Sequence, residues 1–218
     1  MDGNAERQSL ISELGKSRDP AAHASAAGLH ELLHARQMAA LSADVYDSAM
    51  AAGTPPSGWI RVTEDLGRLR ELMPDLDISD EKLRLLLQPN DSGFRAEIYI
   101  PDPEVLGPGF KPTLVFKGSA GEVIGPGGMP RSTAAEDFLG NNFPQSVGLR
   151  TDYYDRAMQL ASMLQRGGLD FDITGHSLGG GLAAAASAVT GMRTVTLNAA
   201  GLHPETVACF ARENGLRI

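Results

Sequence analysis

The apolar positions of this chain change their period once. Between residues 21 and 52, Leu29, Leu32, Leu33, Met38, Leu41, Val45 and Met50 recur at helical spacing. That pattern predicts one long helix or two in series. Gly53-Thr54-Pro55-Pro56-Ser57-Gly58 breaks the period and reads as a linker. Segments 64–73 and 79–87 predict two short helices, the second with Ser79 as its N-cap. From Phe94 the texture shifts. Residues 94–100 alternate as a half-buried strand, and the apolar run at 113–116 suits a strand covered on both faces. Residues 169–174 and 194–197 predict a third and a fourth strand, with helices expected at 150–165 and 178–189. Strands alternating with helices imply βαβ units around a mostly parallel sheet. The glycine-rich stretch 118–131 is expected to be a mobile, solvent-facing loop. The reading is therefore an all-helical segment over 1–90, packed on an α/β domain over 91–218.

Composition narrows the function classes. The chain has 218 residues, 42% apolar and 21% charged, which is ordinary globular usage. Its net charge is −8 and it carries no dense Lys/Arg block, so a nucleic-acid partner is not expected. The single Cys209 excludes an internal disulfide and a multi-cysteine zinc site. There is no run of 18 apolar residues, so no transmembrane segment is expected. The first seven residues are polar and lack an apolar signal core. The expected location is the cytoplasm of the producing cell, with export left to a signal-less secretion system.

The densest chemical signal is Gly175-His176-Ser177-Leu178-Gly179, extended by Gly180 and Gly181. It fits the G-x-S-x-G nucleophile elbow, in which a serine on a tight strand-to-helix turn projects its hydroxyl above the sheet. The flanking glycines, the strand before and the Ala-rich helix after all suit that geometry. Ser177 is thus the candidate nucleophile. Phe116-Lys117-Gly118-Ser119 ends the second strand, and reactive centres of parallel α/β sheets lie beyond the strand C-termini. The backbone N–H groups of Ser119 and Leu178 are therefore paired as candidate oxyanion donors. A rival motif, His30-Glu31-Leu32-Leu33-His34, places two histidines at i and i+4 as zinc would require. Its extended third ligand is missing, because position 40 is alanine, so no metal is expected and the histidines read as solvated on a surface helix.

With Phe116-Lys117-Gly118-Ser119, Asp137 to Gln145, the elbow, and Thr196-Leu197-Asn198-Ala199-Ala200-Gly201 in view, the sequence resembles the class 3 (fungal-type) lipases of the α/β-hydrolase fold over about residues 94–218. Asn141-Asn142-Phe143-Pro144-Gln145 is similar to bacterial phospholipase-like members, some of them secreted toxins or effectors. The resemblance implies a three-layer α/β-hydrolase fold, Ser177 as nucleophile, Ser119 and Leu178 as oxyanion donors, and Asp137 and His176 as supporting residues. It implies no cofactor. The substrate expected is a lipid or another acyl ester, with esterase or thioesterase action on soluble substrates as the alternative. The chain also departs from the family. The fold orders its triad Ser, Asp, His, yet no aspartate follows Ser177, and the one later histidine, His203, opens a loop-to-helix start. The catalytic Asp and His are thus expected outside this chain. Leu216-Arg217-Ile218 is read as the opening of a further strand, the sheet as incomplete at its C-terminal side, and a missing segment or a second chain as its completion. A non-catalytic, incomplete hydrolase fold acting as a binding module is the reading outside enzymes.

Overall fold

The computed structural model describes residues 3–217. Two helices come first, α1 (Gly3–Lys16) and α2 (Pro20–Ala49). Asp19 caps α2, its carboxylate accepting from the Ala21 N–H at 3.0 Å, and Pro20 occupies the first turn, where no N–H is needed. There follow β1 (Trp59–Arg61), α3 (Leu66–Leu72), α4 (Asp80–Leu87), β2 (Ala96–Pro101), α5 (Pro103–Leu106) and β3 (Thr113–Phe116). The second half contains β4 (Glu122–Ile124), β5 (Pro130–Ser132), a π-helical turn over Glu136–Asn142, α6 (Phe143–Ser146), α7 (Asp152–Arg166), β6 (Asp172–His176), α8 (Leu178–Thr190), β7 (Thr194–Leu197) and α9 (Pro204–Asn214). Ser79 does cap α4, accepting from the Lys82 N–H.

The central sheet has the order β1-β2-β3-β6-β7. β3, β6 and β7 are mutually parallel; β2 is antiparallel to both its neighbours, so β1 again runs with β3. All its strands but β2 therefore point one way. Strand alternation divides the core between two faces. Ile98, Leu114, Phe116 and Ile173 pack with α3, α4, α7, α8 and α9, while Tyr99 and Val115 pack with Met38, Leu41 and Val45 of α2. Each such aliphatic side chain contributes about 1.5–3 kcal/mol by leaving water. Trp59 is buried in the α2-side cluster, and its indole N–H donates to Gln37.

The α2 face also carries matched polar pairs. His34 meets Asp172 of β6 at 2.6 Å, Ser42 meets Thr174 at 3.1 Å, and the Ser48 hydroxyl donates to Glu97 of β2 at 2.8 Å. Asp44 receives both Arg61 Nε and Nη2, at 2.9 and 2.8 Å, and the Tyr99 hydroxyl at 2.6 Å. Most buried polar groups are partnered, and these pairs set the register in which α2 lies on the sheet.

Three expectations need correction. The first 90 residues are not all helical: Trp59–Arg61 forms β1 and pairs with Tyr99–Pro101. Three residues are too few to show a period, and buried Arg61 hides the strand further. The 118–131 stretch is not a plain loop, because β4 and β5 form a hairpin in it. Arg95, whose guanidinium is pushed down to about 10 by burial, pins that hairpin by donating to the Ile124 carbonyl at 2.7 Å. Leu216 and Arg217 are not in a strand, and Ile218 lies outside the described residues.

Candidate active site

In the parallel pairing of β3 with β6, Phe116 lies opposite Gly175, so both strands discharge their chains at the same end of the sheet. Ser177 falls between the end of β6 and the start of α8, with φ 56° and ψ −124°. A non-glycine residue at positive φ costs about 1–3 kcal/mol and persists only where its surroundings over-determine it. Here the Ser177 N–H donates to the Leu197 carbonyl at 3.0 Å, and its own carbonyl accepts from the Ala200 N–H at 2.9 Å. The first turn of α8 also presses on β3: a Cβ at Gly179 would stand 2.1 Å from the Phe116 carbonyl oxygen. Only glycine permits that approach. The Ser177 hydroxyl does not turn back to cap α8 and is partly exposed.

The chain leaving β3 passes beside this serine. A Cβ at Gly118 would lie 3.4 Å from Ser177 Cβ and 2.5 Å from the His176 carbonyl oxygen. Ser119 comes next, half-buried, its hydroxyl accepting from Asn142 Nδ2 at 3.3 Å. The Leu178 side chain is in the core, and its N–H is the first of α8, where no carbonyl four residues back within the helix can bind it. The N-terminal end of α8 adds a positive dipole end at Ser177. Ser177, Ser119 and Leu178 are thus gathered at one point of the sheet.

The supporting residues behave differently. Asp137 is buried and does not reach the Ser119 hydroxyl. Its Oδ2 accepts from the Ala120 and Gly121 N–H groups at 3.2 and 3.3 Å and from the Thr133 hydroxyl at 3.0 Å, and its Oδ1 accepts from the Tyr153 hydroxyl at 3.1 Å. It braces the loop rather than the side chain. His176 Nδ1 is 3.2 Å from the Tyr46 hydroxyl. His203 is the N-cap of α9, its Nδ1 accepting from the Glu205 N–H at 3.2 Å. His34 is buried against Asp172 and stacked on Phe110, and His30 stacks on the same ring, so neither is a solvated surface histidine. Among the described residues no group of three His, Cys, Asp or Glu is placed to hold a metal ion.

Two neighbours of the elbow carried no motif in the sequence. Tyr46 reaches in from α2 to within 3.2 Å of His176 Nδ1; burial raises its hydroxyl, with the Gly118 backbone N–H opposing. Lys117 is buried behind the loop, its Nζ donating to the Gly118 carbonyl at 2.9 Å and lying 5.9 Å from the Tyr46 ring centre. Burial lowers its ammonium, and the charge of Asp137 works the other way. Helical spacing at 39, 42, 43 and 46 was the one signal that could have brought α2 to the site.

Two clefts lie near this end of the sheet, one of them lined in part by Ser119. One, of about 550 Å³, lies between α2 and the strand ends, against Ala39, Ala43, Tyr46, Ser119, His176 and Leu197. The other, of about 420 Å³, is bounded by Asn142, Gln145, Ser146 and His203 together with Ala200 and Leu202. Gln145 is buried at that second cleft with its Nε2 unpartnered.

No curated protein matches the chain. A family model described as a Tle-like phospholipase domain matches residues 37–217, beginning inside α2 and running through the whole sheet. With its mixed α/β architecture and no helix long and apolar enough to cross a membrane among the described residues, the chain belongs to this phospholipase-like family.

Proposed function

We propose that the protein is a serine hydrolase of the α/β-hydrolase type, related to the class 3 lipases, that cleaves the carboxyl esters of phospholipids. The observation that carries this reading is Ser177 itself, held at φ 56° between a strand end and a helix start with the β3 loop in van der Waals reach. Strain at such a position is a mark of function. Ser177 Oγ attacks the carbonyl carbon of the ester. The oxygen that becomes anionic accepts from the N–H groups of Ser119 and Leu178, donors already oriented by β3 and α8. The tetrahedral intermediate collapses by breaking the bond to the lipid alcohol, which leaves with the proton taken from Ser177. The acyl-serine that remains is then cleaved by water to free fatty acid and serine.

The proton needs a base, and each of the five described histidines has another neighbour: His23 the Ser17 carbonyl, His30 the Phe110 ring, His34 Asp172, His176 Tyr46, and His203 the Glu205 N–H. We propose that the base and its acid arrive on a strand added beside β7, from a further segment or a second chain. β7 is the edge of the sheet, with Thr196 exposed there.

The test is product analysis with mixed phosphatidylethanolamine and phosphatidylglycerol vesicles, using the protein together with the segment or second chain that supplies the base. Free fatty acid and lysophospholipid are expected, both lost in Ser177→Ala. Diacylglycerol or phosphatidic acid as the primary product would mean phosphodiester cleavage and would overturn the reading.

A further inference from the structure

We infer that the cleft under α2 is the acyl-chain subsite, and that Ala39 and Ala43 set the length of chain it accepts. The inference rests on the proposed ester chemistry for its direction and on the cleft for its substance. Residues 39, 43 and 46 fall at i, i+4 and i+7, one stripe of α2, and all three line the cleft. Ala39, Ala43, Leu197 and Tyr46 give it a mostly apolar lining, with Ser42, His176 and Ser119 as its polar members, and Gly118, next to Ser119, approaches Ser177. A volume of about 550 Å³ falls within the range of small-molecule sites, about 300–1,000 Å³. The other cleft is the more polar of the two: beside Ala200, Leu202 and Pro204 it presents Asn142, Gln145, Ser146 and His203 and holds an unpartnered buried amide. An ester spanning Ser177 has one apolar end and one polar end. Matching them to the two clefts sends the hydrocarbon chain under α2 and the glycerol and head group towards Asn142 and Gln145.

Ala39 and Ala43 are solvent-exposed, so larger side chains there fill the cleft without entering the core. Leu32, 67% exposed and facing α1 with Leu10, supplies a control on the same helix.

The experiment titrates the 218-residue protein with sodium butanoate, hexanoate, octanoate and decanoate below their micelle concentrations, by calorimetry. It needs binding and no turnover. Full burial of a methylene corresponds to about fourfold in affinity; in an open cleft about twofold per methylene is expected, and octanoate should exceed butanoate by about tenfold or more. In Ala43→Trp and in Ala39→Leu that gain should fall below about threefold, while Leu32→Trp keeps it. Equal affinity across the series, or an unchanged series in both cleft variants with native circular dichroism, overturns the assignment. Phosphonylation of Ser177 is a separate measurement. A reactive Ser177 with a flat series sinks the subsite alone, whereas a steep series with an unreactive Ser177 keeps the subsite and sinks the nucleophile.

Discussion

Replacing Asp44 by alanine should loosen α2 from the sheet. Asp44 is 7% exposed and Arg61 is 2% exposed, so the charges meet where water cannot substitute for either. The carboxylate takes two guanidinium bonds, at 2.8 and 2.9 Å, and the Tyr99 hydroxyl at 2.6 Å. It is also the main cause of the raised Arg61 value. Removing it leaves a buried cation with the Glu64 contact and the Ala52 carbonyl, and leaves the Tyr99 hydroxyl unpaired. Breaking a buried pair from one side costs about 3–5 kcal/mol. For a chain of this size each kcal/mol lowers Tm by about 2–4 °C, so a fall of about 6–20 °C is expected. Thermal unfolding followed by circular dichroism measures it. The double variant Asp44→Ala, Arg61→Met removes the stranded charge and should recover at least half of the loss. A fall under about 3 °C in the single variant, or a double variant less stable than the single, would refute the view that this pair holds α2 in place.

Two further outcomes follow from the same structure. Asp137→Ala unties the Ala120 and Gly121 N–H groups from the loop that carries Ser119; ester turnover should fall by about 10²-fold, the usual consequence of a misplaced catalytic group, and unchanged kcat on a p-nitrophenyl ester would contradict the bracing role. Burial raises the Glu97 carboxyl, against hydrogen bonds from Thr63 and Ser48 that lower it. The folded state then holds its proton to higher pH than the unfolded chain, so this group's contribution to stability declines as pH rises from the ordinary carboxylate range through the raised folded value. Glu97→Gln lacks that decline. Its Tm relative to the parent should therefore improve between about pH 4 and about pH 8, the span from the unperturbed carboxylate to well above it, and a constant difference would contradict the sign.

The parts of the fold that were legible in the sequence are those in which local chemistry and tertiary role coincide. Val115 and Phe116 are apolar because β3 is covered on both faces, Gly179 is glycine because α8 starts against the backbone of β3, and Gly175 is glycine because the first turn of α8 lies against it. The parts that were not legible depend on partners far away in the chain. His34 reads as half of a zinc motif until Asp172, 138 residues later, is placed against it. Arg61 can be buried in β1 only because Asp44, 17 residues earlier, neutralises it. Tyr46 reads as one more helical aromatic, and only the docking of α2 brings it to His176 and Gly118. The π-helical turn was hidden as well, since Phe138 and Leu139 sit 56% and 74% exposed, against the pattern of an amphipathic helix.

The central claim is that Ser177 is a nucleophile with an oxyanion hole beside it, and its most direct test is covalent. The protein, together with the segment or second chain proposed to supply the base, is treated with a long-chain alkyl fluorophosphonate, digested, and mapped by mass spectrometry. One phosphonyl group is expected on the peptide containing Gly175 to Gly179, carried by Ser177 and absent in Ser177→Ala. Its rate should fall when the loop donors are displaced in Gly118→Ala, where a Cβ would stand 2.5 Å from the His176 carbonyl oxygen. A phosphonyl group on another serine, or no covalent adduct under conditions that label an ordinary serine esterase, would contradict it.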